Sequence, residues 1–139
     1  MDCCVLISVG VELSVKDQAG NDLLDPTVSQ AIDTDAIRLF YKKDGERRLL
    51  YPVQRNAGRG GKVYKSQNEY RLRLSPEIDN SDPYAVTYIQ WNERDEDTLR
   101  CKIEIKRANT RCTRVWFNGR LVWEVSSNTE RYFEVVKSP

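Results

Sequence analysis

Val115-Trp116-Phe117-Asn118-Gly119-Arg120-Leu121-Val122-Trp123 is the stretch whose reading decides the fold of this chain. Asn-Gly between two apolar, β-branched and aromatic runs predicts a two-residue hairpin, because the tight primed turn needs positive φ at both central residues. Two of the three tryptophans lie on this ribbon. Regular pairing around Asn118-Gly119 sets Phe117 opposite Arg120, Trp116 opposite Leu121, Arg114 opposite Trp123 and Cys112 opposite Val125. One face then carries Cys112, Arg114, Trp116, Leu121, Trp123 and Val125. The other carries Thr113, Val115, Phe117, Arg120, Val122 and Glu124.

Working outward, a turn near Ala108-Asn109 lays residues 99–105 beside the ribbon. Ile105 falls next to Cys112, Ile103 next to Arg114 and Cys101 next to Trp116, so two apolar faces coincide and the tryptophans are expected in the core. In this register Cys101 and Cys112 lie about four residues apart along the strand, on the order of 13 Å. A disulfide needs Cα atoms within about 7 Å, so the two are read as buried thiols acting as small apolar side chains. Arg114 is the misfit on the face. It either stacks on Trp116 or Trp123 with its head in solvent, or joins Trp91, Trp116 and Trp123 in a shallow platform for a sugar ring or an acidic group. Those four residues are the candidate ligand site.

The rest of the chain reads the same way. Odd positions from Val5 to Val15 are apolar and even positions from Ser8 are small or polar, which predicts one strand over 5–15 with one buried face. Asp17-Gln18-Ala19-Gly20-Asn21-Asp22 is turn chemistry, followed by a long loop to Asp35 with at most a helical turn. Strands are expected at 37–41, at 47–51 after the turn Lys43-Asp44-Gly45-Glu46, at 63–64, 70–74, 85–91, 99–105, on both arms of the ribbon and at 132–136. Residues 92–97 read as an acidic, solvated connection. No window of a dozen residues holds helical spacing. Short strands with frequent turns predict a single all-β domain over 1–139 of about 7–9 strands, a sandwich or a barrel rather than a βαβ architecture, with an antiparallel β-sandwich the leading expectation.

Composition narrows function more than it assigns it. The chain is 40% hydrophobic and 31% charged, a globular balance. Its 22 Lys and Arg against 21 Asp and Glu leave a net charge of +1, with no global field to draw in nucleic acid. Histidine is absent, which removes the commonest general base and metal ligand. Serine and cysteine nucleophiles therefore lack their usual partner. Gly58-Arg59-Gly60-Gly61-Lys62-Val63 resembles a phosphate loop only superficially, since Asn56 stands where the first glycine belongs and Val63 where Ser or Thr does. Arg47, Arg48, Arg55, Arg59, Lys62, Lys65, Arg71 and Arg73 form a mild basic cluster, read as solvated surface. Glu93, Asp95, Glu96 and Asp97, like Asp17, Asn21, Asp22 and Asp25, miss the spacing of an EF-hand loop. No catalytic, cofactor or metal residue is expected.

At the start, Met1-Asp2-Cys3-Cys4 runs directly into apolar residues. A secretory signal needs about 7–15 apolar residues behind a charged stretch and a spanning helix about 20, and neither pattern is present in these residues. Cys3 and Cys4 are candidates for a lipid anchor, for a reactive pair or for the buried start of the first strand.

Several phrases together resemble a family. Ser14-Val15-Lys16-Asp17-Gln18-Ala19-Gly20-Asn21-Asp22-Leu23-Leu24-Asp25-Pro26, Ile37-Arg38-Leu39-Phe40-Tyr41 with Asp44-Gly45, Thr87-Tyr88-Ile89-Gln90-Trp91-Asn92 and the ribbon itself are similar, in this order, to small lipoproteins of unknown function from Bacteroides-type gut bacteria. The 17–24 pattern also resembles a strand-turn of carboxypeptidase-regulatory-like sandwiches. The resemblance implies an immunoglobulin-like or prealbumin-like sandwich in the cell envelope, in the periplasm or on the outer-membrane surface, tethered by lipid on Cys3 or Cys4. It departs from the family pattern at the start, where only Met1-Asp2 stand in place of a lipobox. No catalytic residue carries over. The leading expectation is a non-enzymatic module binding a protein or a glycan. The alternatives are a hydrolase or accessory domain of a carbohydrate-active or peptidase system using Asp and Glu, and a purely architectural envelope protein.

Overall fold

Twelve strands arise where apolar and polar residues alternate or where short segments complete a sheet edge. The computed structural model describes residues 6–50, 54–55, 61–79 and 81–138. Within them the strands are β1 (Leu6–Ser8), β2 (Val11–Lys16), β3 (Arg38–Lys43), β4 (Glu46–Leu49), β5 (Gln54–Arg55), β6 (Gly61–Ser66), β7 (Glu69–Leu74), β8 (Tyr84–Asn92), β9 (Asp95–Lys106), β10 (Asn109–Phe117), β11 (Arg120–Glu124) and β12 (Tyr132–Val136). A larger sheet runs β1-β10-β9-β8-β3-β4, with β11 sharing the β10 edge with β1, and a smaller one runs β12-β2-β7-β6-β5. This is a β-sandwich-like, all-β fold. Its apolar layer combines Val11, Leu13, Val15, Leu72 and Val135 of the smaller sheet with Leu39, Ile89, Leu99, Cys101 and Val115 of the larger. Phe117 and Phe133 meet across it at 5.3 Å between ring centroids. Among the described residues no helix is long and apolar enough to cross a membrane.

Three expectations need correction. The sheets are mixed rather than antiparallel: β1 pairs with β10, β12 with β2 and β5 with β6 in parallel. The described strands also number twelve, because segments as short as β1 and β5 leave no periodic signal. The run over 5–15 is not one strand. It breaks at Val9-Gly10, and the chain passes from the larger sheet (β1) to the smaller (β2). Alternation reads straight through the break because Val9 and Val11 are both buried, while Ile7 stays 61% exposed.

The ribbon turns where its sequence says, with positive φ at Asn118 and Gly119, and Phe117 faces Arg120 and Trp116 faces Leu121. Beyond that the regular register fails. The preceding turn is Arg107-Ala108, with Arg107 at φ 51°, so Ile105 pairs with Thr110 and Ile103 with Cys112. Thr113 is then an extra residue, and Arg114 pairs with Lys102, Val115 with Cys101 and Trp116 with Arg100. Val122 is a second extra residue, so Val115 faces Trp123 and Arg114 faces Glu124. A bulge inserts one residue and inverts the alternation beyond it. Trp123 and Val115 thereby turn inward, whereas Trp116, Arg114 and Leu121 turn out.

The same bulge corrects the cysteine geometry. Cys101 and Cys112 are diagonal neighbours on β9 and β10, a separation of about 7–8 Å rather than 13 Å. Both are free thiols with no exposed surface. Hydrogen bonding to Cys112, together with burial, pushes the Cys101 thiol up. Iodoacetamide applied to the native protein is expected to leave both unmodified and to alkylate both in guanidinium, as read by peptide mass mapping. Native-state labelling at either position would refute their placement in the core.

Candidate functional site

The four candidate ligand residues do not converge. Trp123 is 7% exposed, its indole N–H donates to the Thr129 carbonyl at 3.1 Å and Arg131 stacks on it at 4.9 Å. Trp91 is 2% exposed. Arg114 and Trp116 share the outer face of the larger sheet, where Arg114 reaches Glu124 at 3.8 Å rather than a tryptophan ring. Cys3 and Cys4 lie outside the described residues, as does most of the glycine-rich 56–61 loop.

Trp91 is the unpaired residue of a third bulge, between the pairs Gln90–Glu96 and Asn92–Asp95. Bulges re-aim side chains, and here the indole N–H donates to Asp97 Oδ2 at 2.8 Å. Asp97 also accepts from Asn118 Nδ2 at 2.8 Å and pairs with Lys137 Nζ at 2.7 Å. Burial alone would raise its pKa, but the bonds from Lys137, Asn118 and Trp91 outweigh burial and hold its carboxyl below the usual range. Lys137 also binds Asp95 at 2.8 Å and lies 5.2 Å from the Trp91 ring. The residues read as a solvated acidic connection thus supply a buried acid. Asn118 gives the hairpin its turn and also locks the tip onto β9, through Thr98 and Asp97.

Trp91, Asp95 and Lys137 of this network line a cleft of about 1020 Å³ whose wall also carries Asp33, Glu93 and Arg94, while Asp97 lies beneath it. It is the site most like the carboxylate pair that hydrolysis would need. Glycoside hydrolysis requires one carboxyl to hold a proton for the leaving group. Asp97 is held ionised instead, and both acids are tied to the same ammonium.

The two outer faces differ in chemistry. On the smaller sheet the charges pair with one another: Glu69 binds Lys16 and Arg71, Arg71 also binds Glu130 and stacks on Tyr132, and Tyr64 donates to Glu12. On the larger sheet the register aligns Phe40, Tyr88, Thr98 and Arg38, Gln90, Glu96 in successive rows, then Val86, Arg100, Trp116, Leu121 and Tyr84, Lys102, Arg114, Glu124. Arg100 stacks on both Tyr84 (4.0 Å) and Trp116 (4.8 Å), and Arg47 on both Phe40 (4.5 Å) and Tyr88 (4.7 Å). Arg38, Lys42, Arg47, Arg100, Lys102, Arg111 and Arg114 project here against Glu96, Glu104 and Glu124. Of these cations Arg47, Arg111 and Arg114 bind a carboxylate among the described residues, and Arg38, Lys42, Arg100 and Lys102 do not. The mild basic cluster expected from sequence is split, with Arg47 and Arg48 on the larger sheet and Lys62, Lys65, Arg71 and Arg73 on the smaller.

The acids at 17–25 are occupied locally. Asp17 accepts from Asn21 and Ala19, which hold its carboxyl below the usual range, and Asp22 accepts from the Leu24 and Tyr70 amides. Among the described residues no three potential ligands converge on a point where a metal ion would sit. Compared with protein-family models, with curated proteins and with solved structures, the chain matches none.

Proposed function

We propose that this domain is a non-enzymatic interaction module of the cell envelope, working through the outer face of its larger sheet, with an acidic segment of a partner protein as ligand. The observation that carries this reading is the double stack of Arg100 between Tyr84 and Trp116, repeated by Arg47 between Phe40 and Tyr88. Arginine, tyrosine and tryptophan dominate binding energy at protein interfaces, and stacking fixes the Arg100 fork before a carboxylate arrives, whereas the Arg47 fork already holds Glu96. A glycan is the weaker ligand, because Arg100 already covers the rings on which a sugar would stack. The envelope location, the lipid on Cys3 or Cys4 and the immunoglobulin-like or prealbumin-like kinship rest on the resemblance of the sequence phrases. The hydrolase reading is weaker because Asp95 on the cleft wall and Asp97 beneath it are both tied to the Lys137 ammonium. A purely architectural role gives no use to the larger sheet's cations that bind no carboxylate among the described residues.

The test is selection of binding peptides from an acidic, aromatic-containing display library, followed by amide and side-chain NMR mapping. Selected peptides are expected to shift Tyr84, Tyr88, Arg100 and Trp116, and Arg100→Gln with Trp116→Ala to weaken them roughly a hundredfold. Peptides that map elsewhere, or that bind the double variant equally well, would overturn the proposal.

A further inference from the structure

Arg73 and Arg131 approach the same residue, Gly10. The Arg131 Nη1 donates to the Gly10 carbonyl at 2.7 Å. The Arg73 Nη2 lies 2.8 Å from where a Cβ on Gly10 would stand, so any larger residue would push that guanidinium away. Two cations drawn to one glycine repel each other unless an anion lies between them. Among the described residues little supplies one. Glu12 is 4.0 Å from Arg73, the outer limit of an ion pair. Among the described residues Arg131 pairs with no carboxylate: its further contacts are Ser8 Oγ at 3.4 Å and the face of Trp123. Its Nε is buried with no hydrogen-bond partner.

Both arginines line one cavity of about 510 Å³, together with Ser8, Gly10, Ser75 and Glu77. Among the described residues Glu77 is the single acid on its wall. We propose that this cavity is a binding site for a small anionic group, a carboxylate or a tetrahedral oxyanion such as sulfate or phosphate, held by the forks of Arg73 and Arg131 and by the Ser8 and Ser75 hydroxyls. Guanidinium forks match both kinds of anion. The site is separate from the outer face of the larger sheet and does not depend on the function proposed there.

The experiment titrates the full chain with sodium sulfate, phosphate or acetate, against sodium chloride at equal ionic strength. The arginine Nε–Hε and Gly10 amide resonances are followed by NMR. A saturable shift of Arg73, Arg131 and Gly10 is expected, and the acetate arm separates a carboxylate ligand from a tetrahedral one. Arg131→Gln is expected to weaken binding roughly tenfold or more. Arg131 is partly buried and its loss could unfold the chain, so Arg73→Gln, at a half-exposed position, and Gly10→Ala, which keeps both charges and displaces one fork, are tested beside it. Both are expected to weaken the anion severalfold with an unchanged far-ultraviolet spectrum. Shifts that follow ionic strength alone, or Arg73→Gln and Gly10→Ala binding like the parent chain, would overturn the site.

Discussion

Asp97→Asn is expected to destabilise the domain by about 3 kcal/mol at pH 7, and the deficit should shrink as the solution is acidified. The carboxylate is buried and takes three bonds, from Trp91, Asn118 and Lys137. The amide keeps the shape but loses the charge and turns an N–H₂ toward donors. Lys137 keeps Asp95, which holds the loss below that of a stranded buried cation. The sign of the pH effect follows from the direction of the shift. Asp97 is held below its ordinary value when folded, so its stabilisation is complete above the unfolded carboxylate pKa of about 3.9 and fades as pH falls through the lower folded value. The other depressed carboxylates, Asp17, Glu69, Asp79 and Glu104, are common to both proteins and cancel in the difference. Urea unfolding of both chains between pH 7 and pH 2.5 measures this. A gap that stays constant over that range would show that the carboxylate is not ionised through the network described.

The alternation at 70–74, 85–91 and 99–105 is legible because each strand presents one face to the core, and period two survives any error in pairing. Asn118-Gly119 and Asp44-Gly45 are equally legible, since few residue pairs accept positive φ twice. What alternation does not carry is the partner of each strand. Nothing in 5–15 marks the passage from one sheet to the other, because Val9 and Val11 are buried on either side of it. Parallel neighbours such as β2 and β12 lie more than a hundred residues apart and leave no local sign.

The candidate site was harder to read for the same reason. Trp91 was identifiable as a residue of interest, but its partners come from β9, the hairpin tip and the segment after β12. Asp97 looked solvated because acids surround it in sequence, although it occupies the inward phase of β9 with Leu99 and Cys101. Continuing the alternation of 99–105 backwards by one step would have placed it in the core. Arg100, on the outward phase of the same strand, becomes notable only once Tyr84 and Trp116 are known to flank it.

Bulges are the remaining gap, and the ribbon tests them directly. Regular pairing puts Trp116 and Trp123 on one face, so truncating either would cost a similar amount. With Thr113 and Val122 as extra residues the two rings lie on opposite faces, and the costs separate. Trp123→Ala is expected to lose about 3–5 kcal/mol, the range for a large aromatic removed from a core. It empties the space beside Val115, removes the ring under Arg131 and leaves the Thr129 carbonyl without its donor. Trp116→Ala is expected to lose about 1 kcal/mol, because the ring is only partly buried and its main partners are the outward-facing Arg100 and Tyr84. Urea unfolding of the two variants gives both numbers, and acrylamide should quench Trp116 ahead of Trp123 in the parent chain. Equal losses would return both rings to one face and remove the bulges. Unequal losses in the expected order make Thr113 and Val122, which no hydropathy pattern distinguishes, the residues that turn one tryptophan into the core and leave the other beside Arg100 on the surface.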